Sequence, residues 1–305
     1  MKVLVTGAGG QLGHDVMEEL ADRGIEGVGT YLAEDEPGVV MGIHGGRMPG
    51  FLMDITDTDE VRDSILRERP DAVIHCAAWT QVDSAEDKPE ACRRVNAFGT
   101  ENIARICGEL HIPVMYFSTD YVFDGTGTRP WQPGDERHPL DVYGQTKAEG
   151  EIAVQKYCEH YFILRIAWVF GVNGRNFVKT MLKLAKTHDT VRVVSDQIGN
   201  PTYTPDLARL VVDMIVTDRY GIYHVTNEGE PISWYDFTKA IYRIAGVDNV
   251  TVLPVTSEEY GAKAKRPSNS RMDRSAVPAN GFKPLPHWGD AVTRYIEVLR
   301  ETEEI

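Results

Sequence analysis

Through the first half of the chain, short β-branched and aliphatic runs alternate with longer stretches whose apolar residues recur every three or four positions. The runs Lys2–Thr6, Gly27–Tyr31, Ala72–Cys76, Val114–Ser118 and Phe162–Ile166 predict strands. Being nearly continuous in apolar residues, they predict strands covered on both faces. Between them Gln11–Arg23, Asp59–Arg69, Pro89–Leu110 and Val142–His160 carry the helical period, with acidic or small residues near several of their starts. This alternation predicts an α/β fold, a Rossmann-like doubly wound parallel sheet with helices on both faces.

After Gly171 the pattern loosens, and prolines from Pro201 to Pro286 interrupt shorter elements. The expected division is a dinucleotide-binding domain over 1–170 and a smaller C-terminal α/β substrate lobe over 171–204 and 229–305. The intervening stretch, about 205–228, is expected to rejoin the main sheet through a helix at Pro205–Val216 and a strand at Tyr223–Thr226.

Composition narrows the function. With 305 residues, 42% of them apolar, the chain can bury a substantial core. A net charge of −14 without a long basic stripe argues against nucleic acid as a partner. Cys76, Cys92, Cys107 and Cys158 are scattered without metal-ligand spacing, which suits free thiols in a reducing compartment, and no apolar stretch is long enough to span a bilayer. A cytoplasmic protein with no membrane partner is expected.

Gly7-Ala8-Gly9-Gly10-Gln11-Leu12-Gly13 places a Gly-x-x-Gly-x-x-Gly turn between the first strand and the first helix. Glycines there let backbone approach a pyrophosphate, whose charge the helix N-terminus attracts; a plain tight turn is the competing reading. The second strand ends Gly29-Thr30-Tyr31, where a carboxylate for the adenosine ribose is usual, and Glu34, Asp35 and Glu36 come only later. NADPH and NADH therefore both stay open. Arg47 could meet a 2′-phosphate, although a solvated loop arginine is the simpler reading.

Asp141-Val142-Tyr143-Gly144-Gln145-Thr146-Lys147 opens a helix, and the spacing of four puts Tyr143 and Lys147 on one face. An ammonium beside a phenol makes it a usable acid–base group, although the same spacing also occurs in surface pairs. Upstream, the strand Tyr116-Phe117-Ser118-Thr119 ends in hydroxyls, either of which could polarise a carbonyl at the sheet's C-terminal edge or merely cap the strand.

With these three features in this order, the sequence resembles the extended short-chain dehydrogenase/reductase family over nearly its whole length. The longer strings Ala77-Ala78-Trp79-Thr80-Gln81-Val82-Asp83-Ser84-Ala85-Glu86, Ser118-Thr119-Asp120-Tyr121-Val122-Phe123 and Asp196-Gln197-Ile198-Gly199-Asn200-Pro201-Thr202 are similar to the branch that reduces dTDP-linked 4-keto-6-deoxysugars. The resemblance implies that Thr119, Tyr143 and Lys147 form the catalytic triad, with Tyr143 and Lys147 also against the cofactor. It implies Gly7, Gly10, Gln11 and Leu12 at the pyrophosphate, Asp54 and Ile55 at the adenine, and Ala77, Ala78 and Trp79 along the cofactor's middle. For the dTDP-sugar it implies Thr119, Asp120 and Trp168. Some members pair subunits through magnesium bound by glutamates. The first such position here is Asp15, so a homodimer is compatible with the sequence, but no metal is assigned.

Lys263, Lys265, Arg266, Arg271 and Arg274 form a rare basic run. It reads equally as a solvated loop or as a cradle for a nucleotide diphosphate, with Arg266 and Arg271 the preferred pair. The reading reached is an NAD(P)H-dependent keto-sugar reductase. An epimerase or dehydratase of the same fold, and a non-catalytic nucleotide-binding regulatory subunit similar to that of methionine adenosyltransferase, are the alternatives.

Overall fold

Seven strands, β1 (Lys2–Thr6), β2 (Glu26–Tyr31), β3 (Gly50–Leu52), β4 (Ala72–His75), β5 (Val114–Thr119), β6 (Tyr161–Ile166) and β7 (Gly221–His224), build one sheet in the order β7-β6-β5-β4-β1-β2-β3. Every neighbouring pair is parallel. The computed structural model describes residues 1–32, 40–41 and 47–302. From β1 the chain steps outward to β3, then returns to lay β4 on the other side of β1. The crevice at the strands' C-terminal ends beside β1 is thus the topological switch point, where ligands bind in such sheets.

Among the described residues, eight helices of nine residues or more accompany the strands: α1 (Gln11–Asp22), α2 (Thr58–Glu68), α3 (Thr100–Glu109), α4 (Val142–Tyr157), α5 (Phe177–Ala185), α6 (Thr204–Ile215), α7 (Trp234–Ala245) and α8 (Trp288–Glu301). Alternation along β1 sorts the two main cores. Val3 and Val5 pack with Val16 of α1 and Leu210 of α6, whereas Leu4 packs with Ile65 of α2, Ile103 of α3 and Val154 of α4. A third core gathers Phe170, Met181, Val191, Phe237, Ile241 and Tyr295 beneath α5, α7 and α8, next to the parallel pair Thr190–Val194 and Thr251–Val255.

Local chemistry sets the helix ends. Asp57 accepts from the backbone N–H of Asp59 and Glu60, both at 3.0 Å, to start α2, and Arg69 in the left-handed region (φ 48°) ends it. Asp141 accepts from Gly144 N at 2.6 Å to start α4.

The structure departs from expectation in four places. The stretch expected as one helix over Pro89–Leu110 is helical from Pro89 to Glu109 but widens to π geometry over Arg94–Gly99. The strand expected at Tyr223–Thr226 lies two residues earlier, at Gly221–His224. Strand β3 lies where the sequence predicts no strand; at three residues on the sheet edge it is too short to show periodicity. Arg47 lies in a two-residue strand paired with Val40–Met41 rather than in a loop, and its side chain, like Glu34, Asp35 and Glu36, falls outside the described residues.

Candidate active site

The glycine turn sits at the switch point. Gly7 adopts φ 65°, and a Cβ there would stand 2.7 Å from the Ala77 backbone; one on Gly13 would collide with the Gly7 carbonyl. Only hydrogen at both positions lets the start of α1 close onto the turn and onto the loop after β4. No side chain caps α1 at Gly10, so its N-terminus is available to an anion. Asn173 donates to Gly9 O at 2.8 Å and Asn176 to Gln11 Oε1 at 3.0 Å, so the start of the C-terminal lobe braces this turn. Leu12 points into the core. A cradle of bare backbone with an uncapped helix end fits a dinucleotide pyrophosphate.

Ala77, Ala78 and Trp79 follow β4 at the same edge. Ala77 N donates to Thr6 Oγ1 (3.2 Å), which pairs with His75 Nδ1 (2.6 Å); His75 Nε2 meets Thr100 Oγ1 (3.1 Å), which donates to Asn96 O (2.7 Å). Because Thr100 donates onward, His75 carries its proton on Nε2, and burial lowers its pKa to about 3, keeping the ring neutral. Asn96, in the π segment, accepts from Trp79 N (2.8 Å) and donates to Trp79 O (3.0 Å) and to Thr146 Oγ1 (3.2 Å) on α4. Sequence reading passed over Asn96; its one signal was an asparagine in a helix interior, where the residue is disfavoured. Asp54 and Ile55 follow β3, with Ile55 O accepting from Asn102 at 3.0 Å and Asp54 Oδ1 from Thr56 N at 2.8 Å. Tyr31, at the end of β2, folds its ring against Gly29 and Gly50.

Thr119 ends β5 within hydrogen-bonding reach of Tyr143, and Lys147 follows Tyr143 one turn later on α4. Thr119 is 4% exposed and Lys147 3%. Burial, with the nearby charge of Asp120, pushes the Tyr143 phenol well above its usual pKa, against a hydrogen-bonding contribution from Thr119. Burial lowers the Lys147 ammonium to about 7, against the charge of Glu151; its Nζ lies 4.2 Å from the centroid of the Tyr116 ring. Glu151, one further turn along α4, is fully buried and held by Arg165 through two 2.8 Å contacts and by Arg137 at 2.6 Å.

Asp120 is buried. It accepts from Thr119 Oγ1 at 3.0 Å and from Ser270, and burial raises its pKa to about 6 against those bonds. Ser270 belongs to a three-stranded cluster of Ile198–Gly199, Ile232–Ser233 and Asn269–Ser270. In that cluster Gly199 is flanked by Ser270 and the Trp168 indole. Trp168 has φ 50°, costly for a bulky residue, and stacks on Trp234 with ring centroids 3.6 Å apart.

Beside this cluster opens a cavity of about 880 Å³ whose lining includes Tyr121, Phe177, Arg192, Gln197, Trp234 and Arg266. That size suits a small-molecule ligand. The Tyr121 ring meets the Tyr143 ring edge-on at 5.6 Å, so the cavity adjoins the tyrosine–lysine pair. Of the two preferred arginines only Arg266 lines it. Arg271 instead donates to Asn269 Oδ1 at 3.0 Å. Asp15 lies outside this region on α1 with His14 and Glu18, the three offering ligand atoms within 4.8 Å of one another.

Switch-point crevice, glycine turn and a tyrosine four residues before a buried lysine define a dinucleotide-dependent oxidoreductase with the extended short-chain dehydrogenase/reductase fold. More narrowly, the chain belongs to the RmlD substrate binding domain family, whose model matches residues 1–301. It is 40% identical over 297 residues to a dTDP-4-dehydrorhamnose reductase of Aggregatibacter actinomycetemcomitans, covering 93% of this chain and 94% of that one. It is 38% identical to the spore coat polysaccharide biosynthesis protein SpsK of Bacillus subtilis over 97% of both chains. Among solved structures, dTDP-4-dehydrorhamnose reductase from Bacillus anthracis in complex with NADP superposes with a TM-score of 0.87 at 37% identity, covering 98% of this chain and all of that one.

Proposed function

We propose that this chain uses NAD(P)H to reduce the 4-keto group of dTDP-4-dehydro-β-L-rhamnose to dTDP-L-rhamnose, a step in nucleotide-sugar and cell-surface polysaccharide biosynthesis. The observation that carries the reading is Tyr143, beside Thr119 and one helical turn before the buried Lys147, next to a cavity that Arg266 lines. Full-length relatives named for this reaction support it.

The glycine turn, the N-terminus of α1 and the loop Ala77–Trp79 hold the cofactor, with Asp54 and Ile55 toward its adenine end. When bound, the reduced nicotinamide supplies the hydride. Everything else falls to the protein. Negative charge growing on the ketone oxygen meets the Tyr143 phenol, which delivers the proton, and the Thr119 hydroxyl once it turns to that oxygen from its bond to Asp120. Its raised pKa keeps it a loaded donor at neutral pH, while the Lys147 ammonium offsets the phenolate left behind. Asp120 anchors the Thr119 hydroxyl and, with Trp168, borders the sugar.

In this reading residues 1–170 with about 205–228 carry the dinucleotide and 171–204 with 229–305 the substrate, although Val277, Phe282 and Leu285 pack in the core of the main sheet and Phe170 in that of the lobe. All four cysteines are free, in keeping with a reducing cytoplasm, and among the described residues no helix is long and apolar enough to cross a membrane. The test is loss of NAD(P)H absorbance with the dTDP-linked keto sugar, against its UDP and GDP counterparts. Turnover of the keto sugar without added cofactor would instead indicate an epimerase or dehydratase.

A further inference from the structure

The short helix Val82–Asp87 follows the loop Ala77–Trp79 and carries three carboxylates, two tied to the basic run and one to the start of α4. Asp83 receives Arg266 through both terminal nitrogens, at 3.1 and 2.7 Å, and Ala264 N at 3.0 Å. Glu86 accepts from Val142 N at 2.8 Å, at the first residue of α4. Asp87 pairs with Lys263. One short element therefore touches the basic run on one side and the start of the helix bearing Tyr143 on the other.

Arg266 is the cation of that run best placed to be directional. Its side chain is 21% exposed, against 50% for Lys263, and it lines the cavity beside Tyr121, with which it also interacts. A long side chain reaching into a cleft from a loop has many rotamers, and a planar guanidinium recognises phosphate well only when its fork is oriented. Asp83 grips both terminal nitrogens from one side, while its backbone contact to Ala264 fixes the loop two residues before Arg266.

We propose that Asp83 is a positioning residue for substrate: it orients Arg266 toward the diphosphate of the nucleotide-sugar, so that recognition of the diphosphate depends on a residue outside the basic run. Resting on the nucleotide-sugar reading above, the inference adds how the chain selects a diphosphate-linked sugar over an unphosphorylated one. Asp83 acts only through Arg266, and its removal affects ligands that carry the diphosphate.

The test uses the full chain and measures binding of dTDP and of thymidine to wild type, Asp83→Asn, Arg266→Met and the double variant, with NADPH binding reporting the integrity of the fold. Asp83→Asn keeps an acceptor for Ala264 N but loses the charge. It is expected to weaken dTDP about tenfold and to leave thymidine and NADPH unchanged. The double variant is expected to bind dTDP as Arg266→Met does, because the two residues act as one unit. Undiminished dTDP binding by Asp83→Asn, a parallel loss for thymidine, or effects that multiply in the double variant would overturn the inference while leaving the reductase reading intact. Wild-type protein that fails to bind dTDP would overturn the nucleotide-sugar reading itself, and the inference with it.

Discussion

The tyrosine–lysine pocket and the cavity beside it face the same substrate but are built by opposite means. In the pocket, Lys147 is packed away from water against a tyrosine ring, and a fully buried Glu151 lies one helical turn behind it. In the cavity, Arg266 and Lys263 are partly exposed and already paired with carboxylates. Dry surroundings shift proton affinities and suit chemistry; partly exposed cations held by carboxylates keep their charge and suit recognition. The same charge thus does different work in the two places.

Several substitutions and a titration probe that contrast. Tyr143→Phe should lower turnover by roughly two orders of magnitude or more while leaving cofactor binding largely intact. Unchanged NAD(P)H oxidation would remove the phenol from its role. Gly13→Ala should force the Gly7 carbonyl aside, costing about 1–3 kcal/mol of stability and a larger share of cofactor affinity; denaturant melts with and without NADPH would show it. At the cavity, Arg266→Met should raise KM about tenfold with a smaller change in kcat, and added salt should narrow the gap from wild type.

Above about pH 7 a titration reports on Lys147, because burial raises the Asp120 and Asp141 carboxyls only to about 6 and about 7. Its folded pKa of about 7 lies below the ordinary 10.5, so between those values the unfolded chain holds a proton that the folded chain has lost. Unfolding then takes up a proton, and this lysine's contribution to stability rises with pH across that window. Activity should do the reverse, falling as pH passes about 7 and the ammonium is lost, since the Tyr143 phenol stays protonated. Activity and melting temperature moving together there would count against the assignment. Arg271→Met should have the smallest effect, a change in KM of less than about threefold, since that side chain serves Asn269.

What was legible in the sequence follows from distance along the chain. Tyr143 and Lys147 are four residues apart on one helix, and the glycine turn spans seven residues, so each is visible in a single window. Asp83 and Arg266 are 183 residues apart, and Asp120 and Ser270 are 150 apart; no periodicity joins them. The sheet was readable because burial on both faces imposes continuous apolar runs, whereas β3 has only Gly50, Phe51 and Leu52 with which to announce itself. Arg271 belongs to the basic run and was preferred with Arg266, but membership in a charged run does not reveal which way a loop turns a side chain.

The wide helical turn at Arg94–Gly99 has a consequence for how this chain tolerates changes in length. A π turn takes in more residues than an α turn, so deleting one residue between Asn96 and Thr100 would let the turn tighten to α geometry with α3 still seated in the core. Asn96 lies inside the turn that would tighten, and its two contacts with Trp79, at 2.8 and 3.0 Å, would shift with it. The extra width of this one turn is what holds Asn96 out toward the loop after β4.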